Sequence, residues 1–182
     1  AEWEPRNYDN QHYGMLSMRA ALAYSRNIPS VRLAAAVGRD NVAHIAQAAG
    51  IKAEIKNTPM IADRITEVTP IELTSAFGTF GSMGTPTEPR FVLAVEDEQG
   101  NIVYRSDVKQ EQAIDPALAY VLTDMMSDAV QYGTGTAVRD AGYHGPVAGK
   151  TGTTSDGADA WFVGYTPDLV AGIWVGYDER RP

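Results

Sequence analysis

The chain has 182 residues, 44% apolar and 21% charged, with a formal net charge of −8 and no cysteine. This is one domain's length, with enough apolar content for a core. The acidic balance argues against phosphate-backbone recognition, which needs clustered Lys and Arg, and the lack of cysteine excludes disulfide scaffolds, thiolate zinc sites and thiol nucleophiles.

Residues 1–14, rich in Asn, Pro, Tyr and Gly, read as irregular. MLSMRAALAY, from Met15 to Tyr24, has helical character and no breaker. Ser25-Arg26-Asn27 interrupts it. Pro29, whose missing N–H costs nothing in a first turn, restarts a helix through VRLAAAV to Gly38. Asp40 is positioned to cap the next helix, NVAHIAQAA, which Gly50 ends. Thr69-Pro70-Ile71-Glu72 is a capping box, opening a helix that continues through LTSAFGTF toward Gly81. Pro89 to Asp97 alternates as a strand, Glu98-Gln99-Gly100-Asn101 turns the chain, and IVYR returns as its hairpin partner. Asp115-Pro116 starts a capped helix, ALAYVLTDMMSDAVQY, ended by Gly133. Three short β-branched and aromatic runs follow, PVAGKTG, ADAWFVGY and LVAGIWVGY, with brief connections that predict an antiparallel meander. Helices first and strands last give an α+β class, an antiparallel sheet flanked by helices, rather than alternating βαβ units.

No apolar run reaches the ~18 residues of a spanning helix, and no signal peptide opens the chain. Both ends read as cuts through a larger protein. His12, His44 and His144 are far apart and lack metal-site spacing, so no metal or other cofactor is expected.

The most informative string is Gly149-Lys150-Thr151-Gly152-Thr153-Thr154. A phosphate-binding loop needs four residues between its glycines and a helix after it. Here only three separate Gly145 from Gly149, and turn residues leading to a strand follow. The alternative is the KTG strand of serine acyl-transfer enzymes, in which SxxK carries the nucleophile and S-x-N lies opposite. Ser25-Arg26-Asn27 supplies S-x-N, well upstream of KTG. Read locally, Ser25 is equally a helix stop and Asn27 a cap of the next helix.

Longer strings agree. Trp3, Pro5, Asn7-Tyr8-Asp9 and Tyr13-Gly14 followed by LSMRAALAYSRN, then VTPIELTSAFGTFGSMG, GTG at 133–135 and AGKTGTTSDGADAWFVGYTPDLVAGIWVGYD, resemble the transpeptidase domain of bifunctional, class A penicillin-binding proteins. The resemblance spans essentially the whole chain and implies the C-terminal portion of one transpeptidase domain, 1–182. It implies a substrate, a peptidoglycan stem peptide ending in D-Ala-D-Ala, and β-lactams as ligands. Lys150, Thr151 and Thr153 would then hold the terminal carboxylate, with Gly149 and Gly152 letting the substrate backbone lie close. The Thr153 N–H would be one oxyanion donor. Ser25 would pass a proton toward the leaving amine, and Asn27 would bond a substrate amide. The parent protein would be anchored in the bacterial envelope, at the outer face of the cytoplasmic membrane, with a glycosyltransferase domain.

In this family SxxK precedes S-x-N, yet no SxxK lies in the 24 residues before Ser25. The nucleophile segment is therefore expected upstream of residue 1 and the last helix downstream of Pro182. Without neighbouring strands, apolar surface is expected on Val147, Trp161, Val163, Ile173 and Trp174. Ser106-Asp107-Val108-Lys109 does match SxxK, but it follows S-x-N in a polar stretch after a hairpin, whereas a catalytic lysine base needs a buried setting. Two other functions share these motifs: a serine β-lactamase or penicillin-sensing domain, and a degenerate module that only binds within a cell-wall assembly.

Overall fold

The computed structural model describes residues 4–55, 68–107, 111–154, 157–177 and 179. Trp3, Val108-Lys109, Ser155-Asp156 and Asp178, which belong to the motif strings, lie outside them.

Helix α1, Met18–Ala23, starts three residues later than its composition suggests because Ser17 caps it, the Ser17 hydroxyl accepting the Ala20 N–H at 3.1 Å. Helix α2, Asn27–Val37, holds Pro29 in its first turn. In α3, Arg39–Ala48, the cap is Gly38 and Asp40 lies inside the first turn, so the cap expected at Asp40 is not formed there. Helix α4, Pro70–Gly81, opens on the capping box: Thr69 Oγ1 accepts the Glu72 N–H at 3.3 Å. Glu72 also reaches back to the chain after α3, accepting the N–H groups of Ala53, at 2.9 Å, and Lys52. These bonds, Ala53's foremost, hold its carboxyl below the ordinary value.

Strands β1, Ala94–Glu96, and β2, Ile102–Arg105, form the expected hairpin, but β1 is shorter than Pro89 to Asp97. Every residue of both strands is exposed, so no packing extends the pairing. Helix α5, Pro116–Gln131, is capped by Asp115, whose carboxylate accepts the Ala117 N–H at 2.7 Å. A four-residue turn of helix, α6, Ala137–Asp140, follows.

The chain ends in β3, Ala148–Thr153, β4, Asp159–Tyr165, and β5, Val170–Gly176, an antiparallel meander in the order β3-β4-β5. The α+β class is borne out. Helix α5 lies on β3, α4 on β4 and β5, and α1 on α5. Met126, Ala148 and Tyr165 form the core between these layers, with Leu22, Phe77, Phe80, Leu122 and Val170 around them. A second cluster, Ala49, Ile51, Ala76, Ile114 and Ala119, joins the end of α3 to α4 and α5. Among the described residues no helix is long and apolar enough to cross a membrane.

Strand alternation decides which apolar side chains are covered. Val163 shares a face with Ala148 and Tyr165 and is buried; on the same face, nearer the sheet's end, the cross-strand partners Trp161 and Trp174 are half-buried with ring centroids 6.2 Å apart. Val147 is half-buried too, so of the five positions expected to be bare only Ile173 is exposed, at 58%. Val175, two residues along the same face, is exposed at 66%.

Candidate active site

Ser25 sits at the end of α1 in a left-handed conformation, φ 53°, unusual for a residue with a side chain. Its own N–H donates to the Leu22 carbonyl at 3.1 Å and the next N–H, of Arg26, to the Ala21 carbonyl at 2.9 Å. These two bonds make a Schellman motif, the usual way a helix closes its last carbonyls, with Ser25 where glycine is commonest. The helix-stop reading of Ser25 is therefore correct, and the same stop turns its hydroxyl outward. Asn27 is the first residue of α2 rather than its cap.

The 133–135 loop is pressed against the same helix end. The Thr134 N–H donates to the Ala23 carbonyl at 3.0 Å, and the Gly135 N–H to the Ala129 carbonyl at 2.8 Å. A Cβ on Gly133 would lie 2.2 Å from the Ala23 carbonyl oxygen, so only glycine permits this approach. The loop thus fixes the distance between the end of α1 and the strand that carries KTG.

Lys150 spans that distance. Its ammonium donates to Ser25 Oγ at 2.7 Å and to the Thr151 carbonyl at 2.9 Å. Among the described residues it has no carboxylate partner; the ion pairs are Arg19 with Asp124 and Asp128, and Arg26 with Asp9. Burial pushes its pKa down from 10.5 to about 8. At the next residue of the strand, the Thr151 hydroxyl is hydrogen-bonded to that of Thr134, with Oγ1 atoms 2.6 Å apart. Thr153 is exposed at the end of β3, and alternation puts it on the face of Thr151. A half-buried cation that donates to the Ser25 hydroxyl and has no carboxylate partner among the described residues, on a strand whose next residue carries a hydroxyl, is suited to hold a carboxylate.

Other sequence-predicted residues are placed differently. Asn27 turns its amide to the N-terminal segment, donating to the Arg6 carbonyl at 2.9 Å. The glycines of the strand serve packing: a Cβ on Gly149 would meet the Phe162 ring at 2.8 Å, and one on Gly152 would meet Trp161 Cβ at 3.3 Å. Both point at β4 side chains rather than at room for a ligand. Ser106 of the rejected SxxK is half-buried beside β2, its N–H donating to the Leu93 carbonyl at 2.9 Å. Thr134 joins the site without any local signal. Its GTG string is visible in the sequence, but nothing there couples it to Thr151.

The penicillin-binding protein transpeptidase domain model matches residues 1–176. Penicillin-binding protein 1A of Aquifex aeolicus is 38% identical over 180 residues, 99% of this chain and 24% of that protein. The crystal structure of penicillin-binding protein 1A from Haemophilus influenzae has a TM-score of 0.87 at 22% identity, covering 98% of this chain and 32% of that one. PonA1 of Mycobacterium tuberculosis, solved in complex with penicillin V, has a TM-score of 0.77 at 26% identity, over 94% of this chain and 50% of that one. The chain spans about a quarter of the length of the curated relatives it matches.

Proposed function

The chain belongs to the penicillin-binding protein transpeptidase domain family, and on that premise we propose that it forms the C-terminal portion of the catalytic domain of a peptidoglycan D,D-transpeptidase. The observation that carries the reading is the 2.7 Å contact between Lys150 and Ser25, two motifs 125 positions apart in sequence. The nucleophile, a serine of an SxxK motif, belongs to the part of the protein outside these residues, as does the last helix.

The substrate is a stem peptide ending in D-Ala-D-Ala. Its terminal carboxylate lies against the Lys150 ammonium and the Thr151 hydroxyl, with Gly152 between the two threonines of the strand. The nucleophilic serine attacks the penultimate carbonyl. Charge gathers on the carbonyl oxygen, where the backbone N–H of Thr153 is one of two donors. The C–N bond then breaks, and Ser25 passes on to the departing amine the proton that the SxxK lysine took from the nucleophile, while Lys150 stays charged against the carboxylate. Asn27 holds a substrate amide once its bond to Arg6 is exchanged. An amine of a second stem peptide takes the acyl group and completes the cross-link. A β-lactam enters by the same carboxylate contacts and forms an ester that persists. The parent protein works at the outer face of the bacterial cytoplasmic membrane, anchored there and carrying a glycosyltransferase domain.

The test is to label the full-length protein with a fluorescent penicillin and map the adduct by mass spectrometry. The expected adduct is one per molecule, on an SxxK serine outside residues 1–182. Rapid hydrolysis of the drug would make the protein a β-lactamase, and no adduct would make it a binding module. An adduct on Ser25 or Ser106 would overturn these residue roles.

A further inference from the structure

The turn that carries Ser25 is gripped from a second side by the N-terminal segment. Arg26, the middle residue of the motif, donates from Nη1 to Asp9 Oδ2 at 2.6 Å. Its guanidinium lies 3.8 Å from the centre of the Tyr13 ring and 6.0 Å from that of Tyr24. The Tyr13 hydroxyl donates to the same carboxylate oxygen of Asp9. On the far side of the turn, Asn27 donates to the Arg6 carbonyl at 2.9 Å, and Asn7 accepts the Ile28 N–H at 3.3 Å. Asn7 is buried, and it closes the segment on itself by donating to the Gln11 carbonyl at 2.7 Å. Arg26, Asn27 and Ile28 are thus held in succession by a stretch of chain 17 to 21 residues upstream.

We propose that residues 6–13 act as a strap that holds the Ser25 hydroxyl on the Lys150 ammonium, with Arg26 and Asp9 as its positioning residues. The proposal rests on the transpeptidase reading. Ser25 needs such a support because a left-handed backbone at a non-glycine residue is unfavourable by itself, so the turn relaxes unless its surroundings over-determine it. Arg26 suits this position because its planar fork meets a carboxylate edge-on while its face lies on an aromatic ring, which an ammonium cannot do at once. Tyr13 first, then the Gln11 N–H and Arg26, hold the Asp9 carboxyl down at about 2, so the pair is charged throughout the working range of pH.

The experiment is a double-mutant cycle in the full-length protein, reading the rate of acylation by a fluorescent penicillin and the labelled fraction at saturation. Asp9→Asn should lower the rate by roughly 10- to 100-fold, the cost of a catalytic group displaced by about 1 Å, and leave saturation labelling complete. Arg26→Lys should lose part of that, keeping the charge and losing the stacked fork. In a Ser25→Ala background, Asp9→Asn should cause no further loss beyond about twofold, because the strap acts through Ser25. An additive loss in that background, or reduced saturation labelling with an unchanged rate, would overturn the strap. No labelling of the unsubstituted protein would remove the transpeptidase reading itself, a result distinct from labelling with additive losses.

Discussion

Lys150 does its work with a charge that its surroundings disfavour. Burial lowers its pKa to about 8, so the folded chain binds fewer protons than the unfolded chain between about pH 8 and 10.5. Stability therefore rises with pH across that window. On the proposed role of Lys150 in holding the substrate carboxylate, acylation of the full-length protein should fall as pH rises through about 8. In Lys150→Arg, which stays charged, that limb should vanish from the pH–rate profile, at a lower plateau because the guanidinium does not fit the ammonium's place at Ser25. Replacing the charge altogether, as in Lys150→Met, should abolish rapid acylation. The same change should stabilise the domain slightly at pH 7, by about 1 kcal/mol of relieved desolvation after screening by water, read as a small rise in thermal midpoint. Thr79 is a second residue with a single role. It is fully buried, and its hydroxyl donates to the Ala49 carbonyl at 2.8 Å, tying α4 to the end of α3. Thr79→Val keeps the volume and leaves that carbonyl unpaired, at a cost of about 1–3 kcal/mol measured by urea denaturation.

Two elements meet at the site through a backbone contact. The end of α1 and the loop after α5 are joined by the Thr134–Ala23 hydrogen bond, with Gly133 allowing the contact, while the Gly135–Ala129 bond folds the loop back on α5. Gly133→Ala puts a methyl into the Ala23 carbonyl and the Ala129 Cα, and the loop must move off the helix. The expected loss is about 1–3 kcal/mol of stability, with slower acylation, since Thr134 moves away from Thr151 at the same time. A parallel measurement on Thr134→Ser, which keeps both the hydroxyl and the backbone bond, should leave both quantities near their starting values. Arg19, donating to Asp128 at 2.7 Å and to Asp124, braces α1 on α5 from the other end. Its partly exposed bridges are worth about 1 kcal/mol at most, so the backbone contact counts for more than this ion pair in seating the loop on the end of α1.

At the scale of the molecule, the meander has one face covered by α4 and α5 and another on which Ile173 and Val175 stand exposed. The 182-residue chain made alone should bind a hydrophobic dye, and Ile173→Thr with Val175→Thr should reduce that fluorescence. The hairpin, with Val103 exposed at 64% and Phe91 nearby at 87%, adds apolar surface that those two changes leave in place. On the proposed reading, which puts the nucleophile outside residues 1–182, the isolated chain should also remain unlabelled by a fluorescent penicillin that labels the full-length protein, because no ester forms without a nucleophile. Stoichiometric labelling of the isolated chain would contradict this.

The sequence by itself determined the elements and the chemistry of the motif. Thr69-Pro70 and Asp115-Pro116 announce helix starts because capping is a contact between residues two or three apart, whereas the Ser17 cap inside MLSMRAALAY is overlooked when helical composition alone sets the start at Met15. The three strands are legible because alternation and turn residues are equally local. The KTG string is legible as an acyl-transfer motif because its order relative to Ser25-Arg26-Asn27 is a property of the chain alone. Tertiary structure decided where those residues lie and what they touch. Ser25 reads as a helix stop until the fold brings it to Lys150. Gly149 and Gly152 read as room for a substrate until β4 fills the space with Phe162 and Trp161. Thr134 and Thr151, or Asp9 and Arg26, carry no mark of their partnership, because the first contact exists only once the loop after α5 meets β3 and the second only once the N-terminal segment folds back on the turn after α1. Local rules assign conformation to short stretches. Which side of each stretch meets which other is settled by burial, and burial is a property of the assembled whole.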